Sequence, residues 1–332
     1  MNWNKGTLFE TSGSYWKSCT LHSGVKLDIF TIIGAGNKSP EDIAKKINGD
    51  LRGVSALLNA LAAMALLNKP DGRFSNTAFS KQFLSKDSPD YTGFIMMHHH
   101  HLMASWAKMS ASVLSGKPNR SSVSDTENES ERESFLMAMY NVASGTAPMY
   151  SKIVDLSDCT HLLDLGGGPG THAIHFCLNN PGLKATVFDL PTTRKFAEKT
   201  IASFDHSGRI RFKGGSYMGE NTDLEQEYDA VWLSQILHGE GPEEAESIVA
   251  KAATALKPGG KILIHEFILD NTMDGPLFPA LFALNVLIGM DKGQAYPEAQ
   301  LREMLERCGI SDVHRLVVSS PNDAGIMIGV KP

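Results

Sequence analysis

The run Asp164-Leu165-Gly166-Gly167-Gly168-Pro169-Gly170 carries the clearest chemistry in the chain. A glycine-rich turn between a strand and a helix lets a ligand lie against bare backbone, where open α/β sheets bind ligands. Its glycines fall at 166, 168 and 170, whereas the dinucleotide pattern needs the third at 171, where Thr171 stands. Asp164 sharpens the distinction. A carboxylate at a strand end is awkward beside a pyrophosphate and suits an ammonium, such as that of S-adenosylmethionine (SAM). Asp189 ends the next apolar run, where an acid can accept hydrogen bonds from ribose hydroxyls. The alternative reading is a turn cluster with two solvated acids.

The elements that must position these residues follow from the rhythm of the second half. Short apolar runs at 161–165, 184–189, 228–236 and 261–268 alternate with helical stretches that reach to about Leu178, to Phe204 and over 242–256. Such alternation predicts a doubly wound parallel sheet with helices on both faces. Two further apolar runs, 313–318 and 325–330, are joined by Ser319-Ser320-Pro321-Asn322-Asp323 and predict an antiparallel hairpin at the sheet edge.

The N-terminal part is built differently. Ser39 caps a helix opening with Pro40-Glu41-Asp42, and a second, almost wholly apolar helix over 54–67 must be buried on most sides. Asp71-Gly72 makes a turn, and Gly72-Arg73-Phe74 fits one limb of a small wing. Helix, helix and wing is a winged-helix arrangement. The second helix presents Leu, Ala and Met where base readers need Arg, Asn or Gln, which favours a partner subunit over nucleic acid. The polar segment 117–133 reads as an exposed connection or a helix start. The expected division is a winged-helix dimerisation region at 1–115, a helical connection at 116–150 contributing to a substrate pocket, and a cofactor-binding domain at 151–332.

Composition narrows the class. A chain of 332 residues favours two domains, and a formal net charge of −6 calls for neither nucleic acid nor an anionic membrane. No run approaches the roughly 18 apolar residues of a membrane span, and the first ten lack the pattern of a secretory signal. Cys19, Cys159, Cys177 and Cys308 are scattered, as free thiols in a reducing cytoplasm would be.

Four motifs together carry a family resemblance: LLDLGGGPGTHA, VFDLP at 187–191, ILHGEGPEEA from Ile236, and LKPGGKILIHE ending at Glu266. The chain resembles the class I SAM-dependent small-molecule O-methyltransferases, the group including caffeate, acetylserotonin and hydroxyneurosporene-type enzymes. The similarity covers nearly the whole chain, because that family also has an N-terminal winged-helix dimerisation region. It implies a Rossmann-like SAM-methyltransferase sheet, SAM as cofactor with S-adenosylhomocysteine as product, a small-molecule acceptor and a homodimer. Position by position, it puts Asp164, Gly166 and Gly168 on the methionine-binding loop and Asp189 on the ribose. It sets Leu190, Gly215, Ser216, Tyr217 and Ser234 along the cofactor. It makes His238 the general base and Glu266 its flanking carboxylate. An imidazole in the crevice can take the proton of a phenol during transfer. Alternatively, His238 caps a helix and Glu266 pairs with Lys261 or stays solvated.

The chain departs from the family pattern at named positions. Gly239 and Glu240 follow the histidine where Asp and Trp are common, and Gly215-Ser216 replaces an adenine-binding Asp. Gly293-Gln294-Ala295-Tyr296 replaces a stretch that bears a second glutamate in plant members. A catalytic dyad, or an acceptor acidic enough to need little help from a base, accommodates these changes. A thiol, nitrogen or tetrapyrrole-carbon acceptor, or a SAM-binding winged-helix regulator without catalysis, remains open at this point. The run His98–His101 has no Cys or carboxylate beside it, so no metal site is expected. His98, His101, Met103, Trp106, Met137, Phe282, Asn285 and Met290 are candidates for the acceptor pocket, and each taken singly also fits ordinary core packing.

Overall fold

The computed structural model describes residues 2–121, 129–204, 208–219, 222–316 and 318–332, with the side chains of all of these except 129–131. By packing, the chain divides into two units, Met1–Met103 and Ala104–Pro332.

The first unit comprises α1 (Lys5–Gly13), α2 (Tyr15–Lys26), α3 (Ile29–Ile33), β1 (Asn37–Lys38), α4 (Pro40–Ile47), α5 (Leu51–Ala63), β2 (Leu67–Asn68), β3 (Phe74–Asn76), α6 (Ala78–Phe83) and most of α7 (Gly93–Trp106). Ser39 caps α4 as expected: its hydroxyl accepts the Asp42 N–H at 3.1 Å, and Asp42 accepts the Ser39 N–H at 3.2 Å. The wing is present, with β3 between β1 and β2 in an antiparallel sheet. Helix α5 departs from the expected span and burial. Asp50 caps it, accepting the Gly53 N–H at 3.0 Å, and Ala65 at φ 57° lies in the left-handed region just beyond its end. Only Val54, Leu58 and Leu61 of this helix are buried, a single i, i+4, i+7 stripe packed with Ile29, Phe30 and Ile43. Its other faces carry mostly Ala, Ser and Asn, with Leu57 half-buried against the same cluster and Leu51 exposed in the first turn. Large apolar residues are exposed on α1 and α2, namely Leu8, Phe9, Tyr15 and Trp16, and also at Leu51 in the first turn of α5 and Phe79 on α6.

The second unit holds α8 (Met109–Ser115), α9 (Glu129–Ser144), α10 (Ala147–Ile153), β4 (His161–Leu165), α11 (Thr171–Asn179), β5 (Lys184–Asp189), α12 (Arg194–Phe204), β6 (Ile210–Gly214), β7 (Tyr228–Ser234), α13 (Pro242–Ala255), β8 (Leu256–Glu266), α14 (Leu277–Gly289), α15 (Glu298–Arg307), β9 (Ser311–Leu316) and β10 (Gly325–Val330). Its sheet runs β6-β5-β4-β7-β8-β10-β9. The first five strands are parallel, and β10 is antiparallel to both neighbours. The predicted hairpin therefore closes the sheet with β9 outermost.

Period-two alternation sorts the side chains onto two faces. Leu163, Leu165, Val231, Leu233, Ile262 and Ile264 pack on the face covered by α13 and α15. Leu162, Ala185, Val187, Trp232 and Leu263 pack on the opposite face with Ile174 and Phe176 of α11. Asp164 shares the parity of Leu162, so it is directed at α11 rather than at solvent. The segment 117–133 falls partly outside the described residues, namely 122–128 and the side chains to 131. Lys117 and Ser121 are exposed and α9 starts at Glu129, as a connection leading into a helix start would, while the residues between 117 and 121 are half-buried. Asn119 donates its N–H to Ile288 O at 3.1 Å, and Asn119 and Arg120 are half-buried against α14.

Candidate active site

The glycine loop leaves β4 at Gly166, whose N–H bonds Phe188 O of β5 at 2.8 Å. Gly166 sits at φ 69°, and a Cβ there would lie 2.7 Å from Ile236, so neither the backbone nor the space admits another residue. Gly168, at φ 52°, donates its N–H to Asp189 Oδ2 at 2.8 Å. The other oxygen of Asp189 accepts from Leu190 N at 2.7 Å and Thr193 Oγ1 at 2.8 Å. Three internal donors thus aim this carboxylate, and Oδ2 keeps acceptor capacity. Burial raises its pKa above the usual carboxylate range.

Asp164 lies beneath the same loop. It is 0% exposed, accepts the Ala173 N–H at 3.2 Å through Oδ2, and leaves Oδ1 buried without a partner. Burial pushes its pKa up to about 7. A Cβ on Gly167 would meet its carboxyl carbon at 2.7 Å, so it braces the loop from below.

A second loop closes the crevice. Gly215 donates to Asp189 O at 2.9 Å, and any side chain there would strike the Phe188 ring. The Tyr217 ring lies 3.3 Å from where a Gly166 Cβ would be, and burial, then the charges of Asp189, Glu240 and Glu266, raises its phenol pKa. Lys251 holds this loop by donating to Tyr217 O at 2.7 Å and Gly219 O at 3.0 Å. Gly215, Ser216 and Tyr217 thus follow the end of β6, while Leu190, at 39% exposure, follows Asp189 directly. Ser234 differs. Its hydroxyl meets His265 Nδ1 at 2.8 Å and His172 Nε2 at 3.3 Å. Burial holds both rings well below the usual histidine range, His172 down to about 3, so they stay neutral.

His238 sits on a short turn after β7, Glu266 at the end of β8. Glu266 is 2% exposed, and its Oε1 accepts the backbone N–H of Leu237 at 2.9 Å and of His238 at 3.3 Å. Its Oε2 lies 2.8 Å from His238 Nδ1. A carboxylate accepts only, so Nδ1 carries the proton toward it and the Nε2 lone pair faces away from it. Lys261 pairs with Asp158 at 2.7 Å, not with Glu266.

Phe282 of α14 meets the His238 ring edge to face at 4.8 Å, and Phe267 lies 4.5 Å from Phe282. Gly293 presses on the turn, since a Cβ there would be 2.5 Å from His238 O, and Tyr296 donates to Glu240 O at 2.6 Å. A Cβ on Gly239 would be 3.8 Å from the Met290 sulfur. Trp106 Nε1 donates to Asn285 Oδ1 at 3.3 Å, and Met137 on α9 is half-buried.

Phe267 and Phe278 complete this neighbourhood and are absent from the sequence reading, which names Glu240 only as a departure from the family pattern. Only the adjacency of Phe267 to Glu266 could have flagged one of them. His98, His101 and Met103 belong to the first unit, on α7. Met103 packs on Cys19 at 4.0 Å, and His101 is exposed. Among the described residues no group of three or more His, Cys, Asp and Glu side chains converges as a metal site would require, and no helix is long and apolar enough to cross a membrane.

The crevice opens at the carboxyl ends of β5, β4 and β7, where the winding of the sheet reverses. Bare backbone at Gly166, Gly168 and Gly215, with an oriented acid at Asp189, fits an adenosyl ligand. The architecture and the crevice define a SAM-dependent methyltransferase. The family model of the O-methyltransferase domain matches residues 110–311, and that of the O-methyltransferase dimerisation domain matches 9–86.

The chain belongs to this O-methyltransferase family, and its cofactor is SAM. It is 31% identical to the 3-hydroxy-5-methyl-1-naphthoate 3-O-methyltransferase of Streptomyces sahachiroi, covering 98% of this chain and 94% of that one. It is 28% identical to the tetracenomycin polyketide synthesis 8-O-methyl transferase TcmO of Streptomyces glaucescens, over 98% and 97%. Human N-acetylserotonin methyltransferase, solved with SAM, shares the fold with a TM-score of 0.86 at 23% identity, over 99% of both chains.

Proposed function

We propose that this enzyme methylates a hydroxyl on a small aromatic molecule, with His238 as general base and Glu266 as the residue that positions it. The observation that carries the reading is the buried Glu266 carboxylate, fixed by two backbone N–H groups and 2.8 Å from His238 Nδ1. That contact selects the tautomer whose Nε2 can accept a proton, and it stabilises the imidazolium that results. Phe267, Phe278 and Phe282 offer flat apolar walls beside the imidazole, which suits an aromatic acceptor. The naphthoate-methylating relative supports the same acceptor class.

Asp189, Leu190, Gly215, Ser216 and Tyr217 would hold the adenosine of SAM, and Gly166 and Gly168 its methionine end. Asp164, out of solvent contact, acts on the methionine end through the loop it braces. Bound SAM supplies a methyl group activated by sulfonium, so the protein's task is alignment and removal of one proton. Purified protein given SAM and hydroxylated aromatics should release S-adenosylhomocysteine, and should release none with the same rings lacking the hydroxyl. Equal release from both sets would refute the acceptor assignment.

The enzyme acts as a homodimer through its N-terminal unit. The match to the dimerisation domain supports this, as do Phe9 at 72% and Trp16 at 68% exposure on α1 and α2, which an isolated chain would leave in water. Light scattering should give a dimer at micromolar concentration, with Phe9→Asp/Trp16→Asp shifted toward monomer. A wild-type monomer at that concentration contradicts it.

A further inference from the structure

Arg120 is a half-buried cation beside α14. Its Nη2 lies 3.4 Å from Asn285 Oδ1 and 3.5 Å from Asn285 O, and its Nε is buried with no partner. Among the described residues no carboxylate pairs with it, and burial lowers its pKa. The guanidinium lies directly over Gly289, whose bare backbone it packs against.

Asn285 completes a receptor. Its Oδ1 accepts from Trp106 Nε1 at 3.3 Å as well as from Arg120, and two donors on one atom identify it as the oxygen. The Nδ2 hydrogens are left to donate elsewhere. Positions 282, 285 and 289 share one face of α14 at i, i+3, i+7 spacing. The guanidinium therefore lies one to two turns, about 5–10 Å, along the helix from the phenylalanine that touches His238.

We propose that Arg120 and Asn285 bind a carboxylate on the acceptor, so that the substrate class is a hydroxylated aromatic acid. This rests on the acceptor site proposed above, at His238. A half-buried guanidinium whose Nε has no partner, and which pairs with no carboxylate among the described residues, can take an anion at its open donors, and its planar fork matches a carboxylate in the plane of an aromatic ring. Asn285 adds a donor, Phe282 of α14 supplies apolar surface, and Trp106 at the end of α7 adds more where it meets Asn285.

The test titrates full-length protein, saturated with S-adenosylhomocysteine, with 3-hydroxy-2-naphthoate and with 2-naphthol in a calorimeter. The acid should bind roughly 10–100-fold tighter than the naphthol. Arg120→Gln should erase that advantage and leave naphthol affinity and melting temperature unchanged, while Arg120→Lys should keep part of it. Equal binding of the two probes, a parallel loss of both in Arg120→Gln, or binding of neither by protein that retains S-adenosylhomocysteine would overturn the proposal. Failure of the base assignment has another signature: His238-independent methylation of neutral phenols.

Discussion

His238→Ala should retain SAM affinity and lose turnover at neutral pH by roughly 10²–10⁴-fold, the usual contribution of a positioned base. The affinity is expected to hold because the residues proposed for the cofactor hang on β4, β5 and the loop after β6, none of which His238 braces. The loss should shrink as pH approaches the acceptor's own pKa, about 10 for a simple phenol, because solvent then supplies the anion. Glu266→Gln offers an N–H to Nδ1, reverses the tautomer, and should move turnover in the same direction. Full progress curves at several pH values, with SAM binding measured on the same samples, check all of this. Near-normal turnover in His238→Ala would make the imidazole structural and leave alignment alone to drive transfer.

Asp189→Ala should weaken SAM binding by about 1.5–3 kcal/mol, roughly 10–150-fold, the value of a charge-assisted contact. Two losses combine. The acceptor for ribose hydroxyls disappears, and Gly168 N, Leu190 N and Thr193 Oγ1 lose the carboxylate that organises them. Asp189→Asn separates the two, since its single amide oxygen can still meet some of these donors while the charge is gone. Calorimetry should rank affinity wild type, then Asn, then Ala. Unchanged affinity in both variants with a normal melting temperature would remove Asp189 from the cofactor contact.

Strands β4 and β5 run over the residues the sequence indicates because parallel strands covered on both faces are unbroken apolar runs. The glycine loop was equally plain, since a tight turn with three positive φ angles leaves few choices of residue. Strand β6 was missed for the converse reason. It is an edge strand in which only Ile210 is buried, and Arg211 and Lys213 point to Glu225, Glu227 and Asp223 rather than to a core. Arg120 sat in a stretch whose composition reads as solvated, and only the tertiary contact with α14 reveals its burial. Nor did composition mark α5 as one-sided, because alanine is compatible with either environment. The family resemblance sets Ser234 along the cofactor, and only the fold reveals that its hydroxyl meets two histidines distant in sequence.

In the proposed reaction the methyl group goes to an oxygen on an aromatic ring. Carbon NMR of the product formed from SAM labelled with ¹³C in its methyl group, using hydroxylated aromatic acids as acceptors, tests it most directly. The expected spectrum shows one labelled methyl per product, bonded to an aromatic hydroxyl oxygen and absent when that hydroxyl is removed. A labelled methyl on carbon, nitrogen, sulfur or the carboxylate, or no transfer to any of these acceptors by protein that binds SAM, would contradict it.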